Sequence, residues 1–189
     1  MAIDTTILLS DRLYLRPMTR DDLALKVHWY SDPEINKTLI LDEPLELEKT
    51  FRWFEGIQDS KTRLDLVIET SDRRPIGVIG LVSIDKSARS AEIFVVIGER
   101  EFWAKGVMLE AESLLIGWAF GTLGLQTIWA QARVENIASI ITMKKLGFQI
   151  QESLRSEKQI DGQTVVILYL DLRRENFKPA HKKNPALPS

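Results

Sequence analysis

Apolar and polar residues alternate in two different periods along the first half of the chain. Alternation of charged and apolar residues predicts a half-buried strand over residues 12–17. Thr19 followed by two aspartates is a helix N-cap pattern, and we expect a helix from there to about Tyr30. A second amphipathic helix is predicted over residues 45–58. Three apolar, β-branched runs joined by short turns then predict an antiparallel meander. These runs are residues 64–69, 76–84 and 92–97.

Strands and helices alternate in the second half. The apolar segment 107–121 predicts a buried helix, and Asn136 opens another helix that Gly147 ends. Further strands are predicted over residues 126–134, 148–154 and 165–170. Because strands 92–97 and 126–134 are each followed by a helix, they can pair in parallel. The order of seven strands and four helices predicts a mixed α/β sheet, not a regular βαβ alternation.

Composition narrows the class of protein. With 189 residues and 44% hydrophobic content, one domain over residues 1–176 is expected, followed by a loose tail over residues 177–189. The net charge of -2 disfavours nucleic-acid binding. The absence of cysteine excludes a cysteine nucleophile, and two histidines are too few for a zinc site, so no metal is expected. No apolar run is long enough to span a membrane, so a cytoplasmic protein is expected.

Candidate chemistry starts at the loop between strand 92–97 and helix 107–121. A strand, a tight glycine-bearing loop and a helix gather free backbone N–H groups at a helix N-terminus, and such a site suits phosphate. The loop sequence W-A-K-G-V-M, residues 103–108, is a weak motif by itself. A plain packing unit is the alternative interpretation.

A second segment makes the functional interpretation of the loop more specific. Residues 134–148 read V-E-N-I-A-S-I-I-T-M-K-K-L-G-F. Together with residues 92–111 they resemble the GCN5-related N-acetyltransferase (GNAT) family, in particular its ribosomal-protein and polyamine acetyltransferase branch. The resemblance implies that family's α/β (α+β) fold. That fold has a mixed, mostly antiparallel sheet of about seven strands, about four helices, and a splayed parallel strand pair that holds the cofactor.

The resemblance also implies cofactor-binding residues for acetyl-CoA as co-substrate. The loop residues match the segment that binds its diphosphate, and the end of the preceding strand matches the edge that binds the pantetheine arm. Asn136 and Ser139 match positions near the arm and the thiol. The loop and strand residues are Val95, Val96, Ile97, Trp103, Ala104, Lys105, Gly106, Val107 and Met108.

Three positions depart from the family pattern. Ala104 replaces the usual glycine, which the loop tolerates if the φ of Ala104 is negative. Met108 stands where glycine or alanine is common. Met143 replaces a tyrosine that protonates the leaving thiolate, and methionine has no proton to donate. Ser139, water or solvent must then supply this proton. A thiol pKa near 8.5 makes the acid helpful rather than indispensable at neutral pH.

The expected reaction is direct attack of a primary amine on the thioester. Glu92 is the first candidate for the base that takes the ammonium proton, and a strand-end surface carboxylate is the alternative interpretation. Trp29, Tyr30 and Glu34 are candidate acceptor-binding residues. For the two aromatic residues the alternative is burial in the core, and for Glu34 it is a solvated turn. An acidic cluster favours a cationic acceptor: Asp32, Glu34, Asp42 and Glu43.

Three functions fit these observations. The first is an acetyl-CoA-dependent N-acetyltransferase acting on a protein N-terminus, a polyamine, an amino sugar or another small amine. The second is a non-catalytic acyl-CoA-binding or regulatory module, which Met143 and Met108 favour. The third is a structural or interaction protein without a ligand. A homodimer is compatible with the resemblance, and neither nucleic acid nor a membrane is an expected partner.

Overall fold

The computed structural model describes residues 8–180, and the sheet in this range has nine strands. The helices are α1 (Leu23–Ser31), α2 (Pro33–Asn36), α3 (Leu47–Ile57), α4 (Val107–Gly121) and α5 (Ile137–Leu146). The strands are β1 (Leu8–Leu9), β2 (Leu13–Pro17), β3 (Leu64–Thr70), β4 (Pro75–Asp85), β5 (Ser90–Ile97), β6 (Thr127–Arg133), β7 (Gln149–Ile150), β8 (Ser156–Ile160) and β9 (Gln163–Arg173). The predicted mixed α/β fold is confirmed.

The sheet is antiparallel except at one position. Its strands run in the order β1-β2-β3-β4-β5-β6-β9-β7, and β8 also pairs with β9. Among the strands of residues 8–180, only β5 and β6 are parallel, and α4 is the crossover helix between them. The predicted meander of β3, β4 and β5 and the parallel pair after it are therefore both present.

The strand count differs from the seven expected. β1 adds a two-residue strand at one edge. The segment predicted as a strand over residues 148–154 is strand only at β7, because residues 152–154 form a 3₁₀ turn. The chain then returns to the same edge of β9 as β8, which joins β9 by a hairpin around Asp161-Gly162. The predicted strand 148–154 is thus reduced to β7, and β8 is a strand that the sequence did not predict.

Two apolar clusters pack against the sheet. The larger contains α4 and α5, and its members include Ile93, Ile97 and Leu115. The smaller contains α1, α2 and α3, and its members include Trp29, Val78 and Val96. Successive side chains of a strand point to opposite faces, so β5 contributes alternate residues to the two clusters. The strand that carries the candidate base therefore separates two helical layers.

The start of the predicted tail contacts the domain. The Phe177 ring lies edge-on to Phe120 with 5.7 Å between centroids. The backbone N–H of Lys178 donates to Leu146, and that of Ala180 donates to the Ser113 hydroxyl, both at 2.9 Å. The rest of the predicted tail, residues 181–189, lies outside the described residues.

Candidate active site

The parallel strands separate shortly after they meet. β5 and β6 pair at Ser90–Thr127, Ala91–Ile128 and Glu92–Trp129. Beyond Glu92, β5 continues to Ile97 without a β6 partner, although it still pairs with β4. Alternate backbone N–H and C=O groups of residues 93–97 consequently face the gap instead of another strand. An extended ligand arm can bind to such an edge as an additional strand would.

A cavity of about 1380 Å³ opens at this gap. It is lined by the divergent parts of β5 and β6, the N-terminal part of α4, helix α5, and residues from α1, α2 and α3. The cavity therefore reaches both helical layers. Its size is sufficient for a long cofactor and a small second substrate together.

The loop before α4 has the conformation expected of an anion site. Gly106 is the N-cap with φ of +76°, in the left-handed region that favours glycine. The N–H groups of the first helical turn lack intrahelical acceptors, and the helix dipole places partial positive charge there. Trp103 fixes the loop to β5, because its Nε1 donates to the Ile97 carbonyl at 2.9 Å.

An ion pair between the half-exposed Arg12 and the buried Glu110 supports the loop. The Nε of Arg12 donates to Glu110 Oε2 at 2.9 Å, and the Arg12 guanidinium also reaches the Lys105 carbonyl at 3.4 Å. Glu110 is buried in the first turn of α4 and accepts a second bond from Ser10 Oγ at 2.5 Å. These contacts hold the start of α4 against the β1–β2 edge.

The sequence interpretation required a negative φ at Ala104, but the observed φ is positive. It is +58°, in the left-handed region. The loop keeps the backbone conformation that glycine adopts freely, and the alanine Cβ makes this conformation strained by about 1 kcal/mol.

Most of the residues predicted to bind the cofactor lie around one cavity. Lys105 does not line it and instead places its ammonium 5.6 Å from the Phe102 ring centroid. The residues that do line it are Val95, Val96, Ile97, Trp103, Ala104, Gly106, Val107, Met108, Asn136 and Ser139. The structure thus brings together two segments that are 28 residues or more apart in sequence, and their binding roles stay predictions.

Asn136 and Ser139 form the N-cap of α5. The Asn136 Oδ1 accepts from the Ser139 backbone N–H at 3.2 Å, which satisfies one of the free donors of the helix. This use of the Asn136 carbonyl leaves its NH₂ group and the Ser139 hydroxyl for contacts with a ligand. Met143, one turn further along α5, is 2% exposed and lines the cavity where the family pattern has tyrosine.

Glu92 lies at the point where the strands part. Its side chain lines the cavity, and Gln131 Nε2 approaches Glu92 Oε1 at 3.5 Å. Burial raises the pKa of Glu92 above its ordinary value, while Gln131 and the charge of Arg63 oppose the shift. A carboxylate with a raised pKa inside a cleft has the properties of a general base.

The three predicted acceptor residues have different environments. Tyr30 lines the cavity, and burial raises the pKa of its hydroxyl. Glu34 lines it too, but its carboxylate forms an ion pair with Lys37. Trp29 does not line the cavity, because its ring packs on Gly98 and its Nε1 donates to Glu99 Oε1 at 3.0 Å. Trp29 is therefore part of the core, the alternative that the sequence left open.

The acidic cluster that favoured a cationic acceptor is neutralised by neighbouring cations. Asp32 accepts from Arg100, with its Oδ2 2.9 Å from the Nε, and Arg100 holds the pKa of Asp32 below its ordinary value. Asp42 pairs with Lys158 at 2.8 Å, and Glu43 lies 3.6 Å from Lys49. Since Glu34 pairs with Lys37, each of the four carboxylates has a cation beside it.

Sequence reasoning missed two buried ionisable residues at the cavity. Lys26 falls in the buried stripe of α1 with Leu23 and Tyr30, and this helical spacing was the signal that could have identified it. Glu112 lies inside the apolar α4, and one of its oxygens has no hydrogen-bond partner among residues 8–180. Burial raises the pKa of Glu112 to about 8.

Acetyl-CoA fits the groups that face the cavity. The free N–H groups at the start of α4 suit a diphosphate, and the unpaired edge of β5 suits an amide-bearing arm. Within residues 8–180 no group of three or more potential metal-ligating side chains occurs. In the same range, no helix has the length and apolar character needed to span a bilayer.

Comparisons with known proteins agree with this geometry. The family model described as Acetyltransferase (GNAT) domain matches residues 12–149. N-acetyltransferase p20 of Bacillus licheniformis is 30% identical over 174 residues, covering 89% of this chain and 97% of that protein. Spermidine N(1)-acetyltransferase of Escherichia coli K12 is 28% identical over 170 residues, covering 89% of each.

The fold also matches that of a solved relative. The spermidine N-acetyltransferase of Vibrio cholerae, crystallised with CoA and spermine, superimposes with a TM-score of 0.81 at 22% identity. That match covers 88% of this chain and 98% of the Vibrio protein. Fold and site together define an acyltransferase that uses a coenzyme A thioester. The chain belongs to the GNAT acetyltransferase family. It is an N-acetyltransferase, and its acetyl donor is acetyl-CoA.

Proposed function

We propose that this N-acetyltransferase moves the acetyl group directly to a primary amine while both substrates occupy the same cavity. The chain has no cysteine to form a thioester intermediate. The cavity reaches from the α4 N-terminus to the α1–α3 layer, which gives the two substrates neighbouring positions. Holding both reactants in one complex removes much of the entropic barrier of a bimolecular reaction.

The cofactor half of the cavity binds and orients the donor. Backbone N–H groups after Gly106 bind the diphosphate, and the free edge of β5 over residues 95–97 binds the pantetheine arm. Acetyl-CoA supplies a thioester carbonyl carbon as the electrophile. The N–C bond forms as the C–S bond breaks, the sulfur leaves with the bonding electron pair, and the acylated nitrogen releases its second proton to water.

Glu92 takes the proton of the incoming ammonium, directly or through water. The single observation that carries this role is its position, half-buried in the cavity wall at the last β5 residue that pairs with β6. Its raised pKa makes it a better proton acceptor than an exposed glutamate.

The leaving thiolate receives its proton from water or from Ser139. Met143 lines the cavity at the position where the family pattern has tyrosine, and it offers no proton. Ser139 lines the same cavity, and its hydroxyl remains available because its helix-capping contact uses the backbone N–H. A thiol with a pKa near 8.5 needs this assistance only modestly at pH 7.

Two observations on the chemical class of the acceptor amine point in opposite directions. The relatives of known specificity act on spermidine, and a polyamine is accordingly one candidate for this chain. The pairing of Asp32, Glu34, Asp42 and Glu43 with cations removes the feature that favoured such an acceptor. Cytoplasmic location and a homodimer stay predictions.

The test is CoA release with a panel of amines. Purified protein is mixed with acetyl-CoA and with polyamines, amino sugars, amino acids or peptides, and free thiol is measured. Thiol release that depends on the amine supports the proposal. Tight binding of acetyl-CoA with no amine-dependent release across the panel contradicts it and favours the non-catalytic acyl-CoA-binding alternative.

A further inference from the structure

Lys26 is a buried cation at the wall of the cavity. The residue is 5% exposed, and its Nζ lies 3.9 Å from the ring centroid of Trp53 and 5.6 Å from that of Tyr30. Among residues 8–180, the ammonium group has no hydrogen-bond acceptor and no carboxylate within ion-pair distance. A buried charge without such a partner destabilises the folded protein. The cation–π contacts with Trp53 and Tyr30 offset part of this cost, but they leave the three N–H donors of Lys26 without an acceptor among residues 8–180.

The carboxylate of Asp65, whose charge raises the pKa of Lys26, belongs to an ion pair with Arg63. Arg63 holds Asp65 with two hydrogen bonds, from Nε at 2.6 Å and from Nη2 at 3.0 Å. Burial lowers the pKa of Lys26 to about 8, with Asp65 raising it and Arg63 lowering it from a distance. Lys26 is consequently still mostly charged at neutral pH.

Lys26 and Glu92 belong to one continuous wall. The Arg63 guanidinium lies 4.9 Å from the Trp53 ring centroid and 5.7 Å from that of Phe94, and its charge also acts on Glu92. We call Lys26, Trp53, Arg63, Phe94 and Glu92 the acceptor wall. Phe94 and Glu92 lie on the same face of β5, which packs towards α1 and α3.

The charges of the acceptor wall are unevenly compensated. Arg63 is neutralised by Asp65, which leaves the Lys26 ammonium and the Glu92 carboxylate as the charges available to a ligand. A ligand with one positive and one negative group complements this arrangement. The second ammonium of a polyamine would instead be repelled by Lys26.

We propose that the acceptor is a primary amine that also carries a carboxylate, as amino acids do, with Lys26 binding the carboxylate and the amine facing Glu92. This inference rests on the proposed acetyl transfer and narrows its substrate class. The anionic part of the ligand should carry a single negative charge, because the ammonium of Lys26 is the one uncompensated positive charge of the acceptor wall. The aromatic rings of Trp53 and Phe94 offer apolar surface to the carbon chain between the two groups.

The test measures binding without requiring turnover. Protein saturated with CoA, which has no acetyl group to transfer, is titrated calorimetrically with matched amines. The pairs are leucine with leucinamide and β-alanine with β-alaninamide, and spermidine is the cationic probe. We expect each carboxylate to bind at least about tenfold more tightly than its amide, the difference that one buried charge-assisted contact supplies.

Two variants and a control assign the effect to Lys26. Lys26→Met keeps an unbranched side chain over Trp53 without the charge, and Lys26→Gln is a polar uncharged replacement if the first fails to fold. Either variant should bind each acid and its amide equally. Lys49→Met is the control, because Lys49 also lines the cavity but is exposed and paired with Glu46. It should keep the wild-type preference.

Proton uptake gives a readout that a structural lysine would not produce. A carboxylate bound to Lys26 raises the pKa of Lys26, so binding at pH 8 should take up about half a proton. Buffers of different ionisation enthalpy measure this number. Other titratable groups lie close by: the charges of Asp65 and Arg63 act on Lys26, and the side chains of Glu92 and Tyr30 line the same cavity. Helix α3 contributes Trp53, which does not titrate. The uptake must therefore be absent in Lys26→Met to be assigned to Lys26.

The outcomes separate this inference from the proposed function. No heat on titrating acetyl-CoA into the free protein overturns both. Tight acetyl-CoA binding with equal affinity for acids and amides, or with spermidine the tightest ligand, overturns only the carboxylate specificity. The same holds if Lys26→Met retains the preference for acids.

Discussion

Glu92 lies opposite Trp129 at the last position where β5 and β6 pair in parallel. One residue further the strands part, and the cavity begins there. A side chain at this junction is held by a paired backbone, yet it faces the open gap. The junction places the candidate base on a rigid element next to the site where the thioester is expected, which is the arrangement that efficient proton transfer requires.

Replacement of Glu92 by glutamine tests its role as base. We expect Glu92→Gln to lower kcat by about 100-fold or more, because general-base catalysis contributes about 10²–10⁴ to rate. The Kd of acetyl-CoA, measured by calorimetry, should change less than about twofold, since the substitution keeps the size of the side chain.

The pH profile sharpens this test. Wild-type kcat/KM should fall as the pH drops through the raised pKa of Glu92, because protonation removes the base. The glutamine variant should lack that limb. Glu157→Gln, at an exposed cavity-lining carboxylate, is the control and should keep both rate and profile. Unchanged turnover in Glu92→Gln would remove Glu92 from the mechanism.

Ala104 should tolerate glycine without loss of stability. Its φ of +58° strains an alanine by about 1 kcal/mol, and glycine relieves this strain. The greater freedom of glycine in the unfolded chain offsets up to about 1 kcal/mol of the gain. Urea unfolding of Ala104→Gly should give a free energy of unfolding equal to or above that of the wild type.

A helical alanine provides the comparison for Ala104. Ala24 is exposed in α1, and Ala24→Gly should cost about 1 kcal/mol because glycine is a poor helix former. Equal destabilisation by the two substitutions would contradict the left-handed conformation of Ala104.

Glu112 should make the stability of the unliganded protein fall as pH rises. Burial raises its pKa to about 8 in the folded state, from an ordinary value of 4.5. Between these pH values the folded protein holds a proton that the unfolded chain has released. The free energy of unfolding then decreases by about 1.4 kcal/mol per pH unit from this group.

Glutamine at position 112 removes this dependence. The difference in unfolding free energy between Glu112→Gln and wild type, measured in urea at pH 5.5 and 7.5, should grow in favour of the variant at the higher pH. Glu48→Gln, at an exposed position of α3, should show no such trend. A difference that is constant with pH would show that Glu112 is ionised in the folded protein.

Arg16 should be essential to the stability of the β2–α1 corner. Its Nη1 and Nη2 each bond to Asp22 at 2.7 Å, and its Nε bonds to Glu69 at 2.7 Å. Both carboxylates are buried, so Arg16→Met leaves two buried charges without their shared partner. We expect a loss of about 3–5 kcal/mol in urea unfolding at pH 7.

An exposed ion pair serves as the control for Arg16. Arg20 and Glu55 lie 2.7 Å apart with both side chains about 60% exposed, and Arg20→Met should cost less than about 1 kcal/mol. Burial raises the Asp22 pKa, but bonds from Arg16 and Thr19 outweigh it and lower the pKa overall. The loss of unfolding free energy caused by Arg16→Met should therefore be largest above about pH 4. It should shrink as the pH falls through the lowered pKa of Asp22.

Local patterns made much of the fold predictable. The apolar run of α4 and the Gly147 C-cap gave helix ends that the structure reproduces, with Gly147 in the left-handed conformation. Gly106 and its loop pointed to the anion site for the same reason, since a left-handed N-cap and a helix start are encoded within a few residues. The strand between residues 148 and 154 was predicted less well, because its interruption depends on pairing with β9.

Partners that are distant in sequence were not predictable. The acidic residues near α2 suggested a cationic acceptor, but Asp32 pairs with Arg100 and Asp42 pairs with Lys158 from elements far along the chain. Trp29 has a helical spacing compatible with either the core or a pocket, and its packing on Gly98 decides for the core. The helical spacing of Lys26 with Leu23 and Tyr30 indicated a buried position, but only the packed structure shows that this lysine has no ion partner among residues 8–180, against ordinary preference.

The most direct test of the account is acetyl-CoA binding to two glycine variants. Gly106 and Gly124 both have positive φ, +76° and +67°, and a Cβ at either position meets no backbone atom within 4 Å. Valine therefore imposes similar backbone strain at both sites, but only Gly106 lines the cavity. In calorimetric titrations, Gly106→Val should weaken acetyl-CoA binding by at least about 100-fold, because the side chain covers the N–H groups at the start of α4. Gly124→Val should bind as the wild type does. Wild-type affinity in folded Gly106→Val would contradict the placement of the diphosphate at this helix, and with it the position assigned to the thioester beside Glu92.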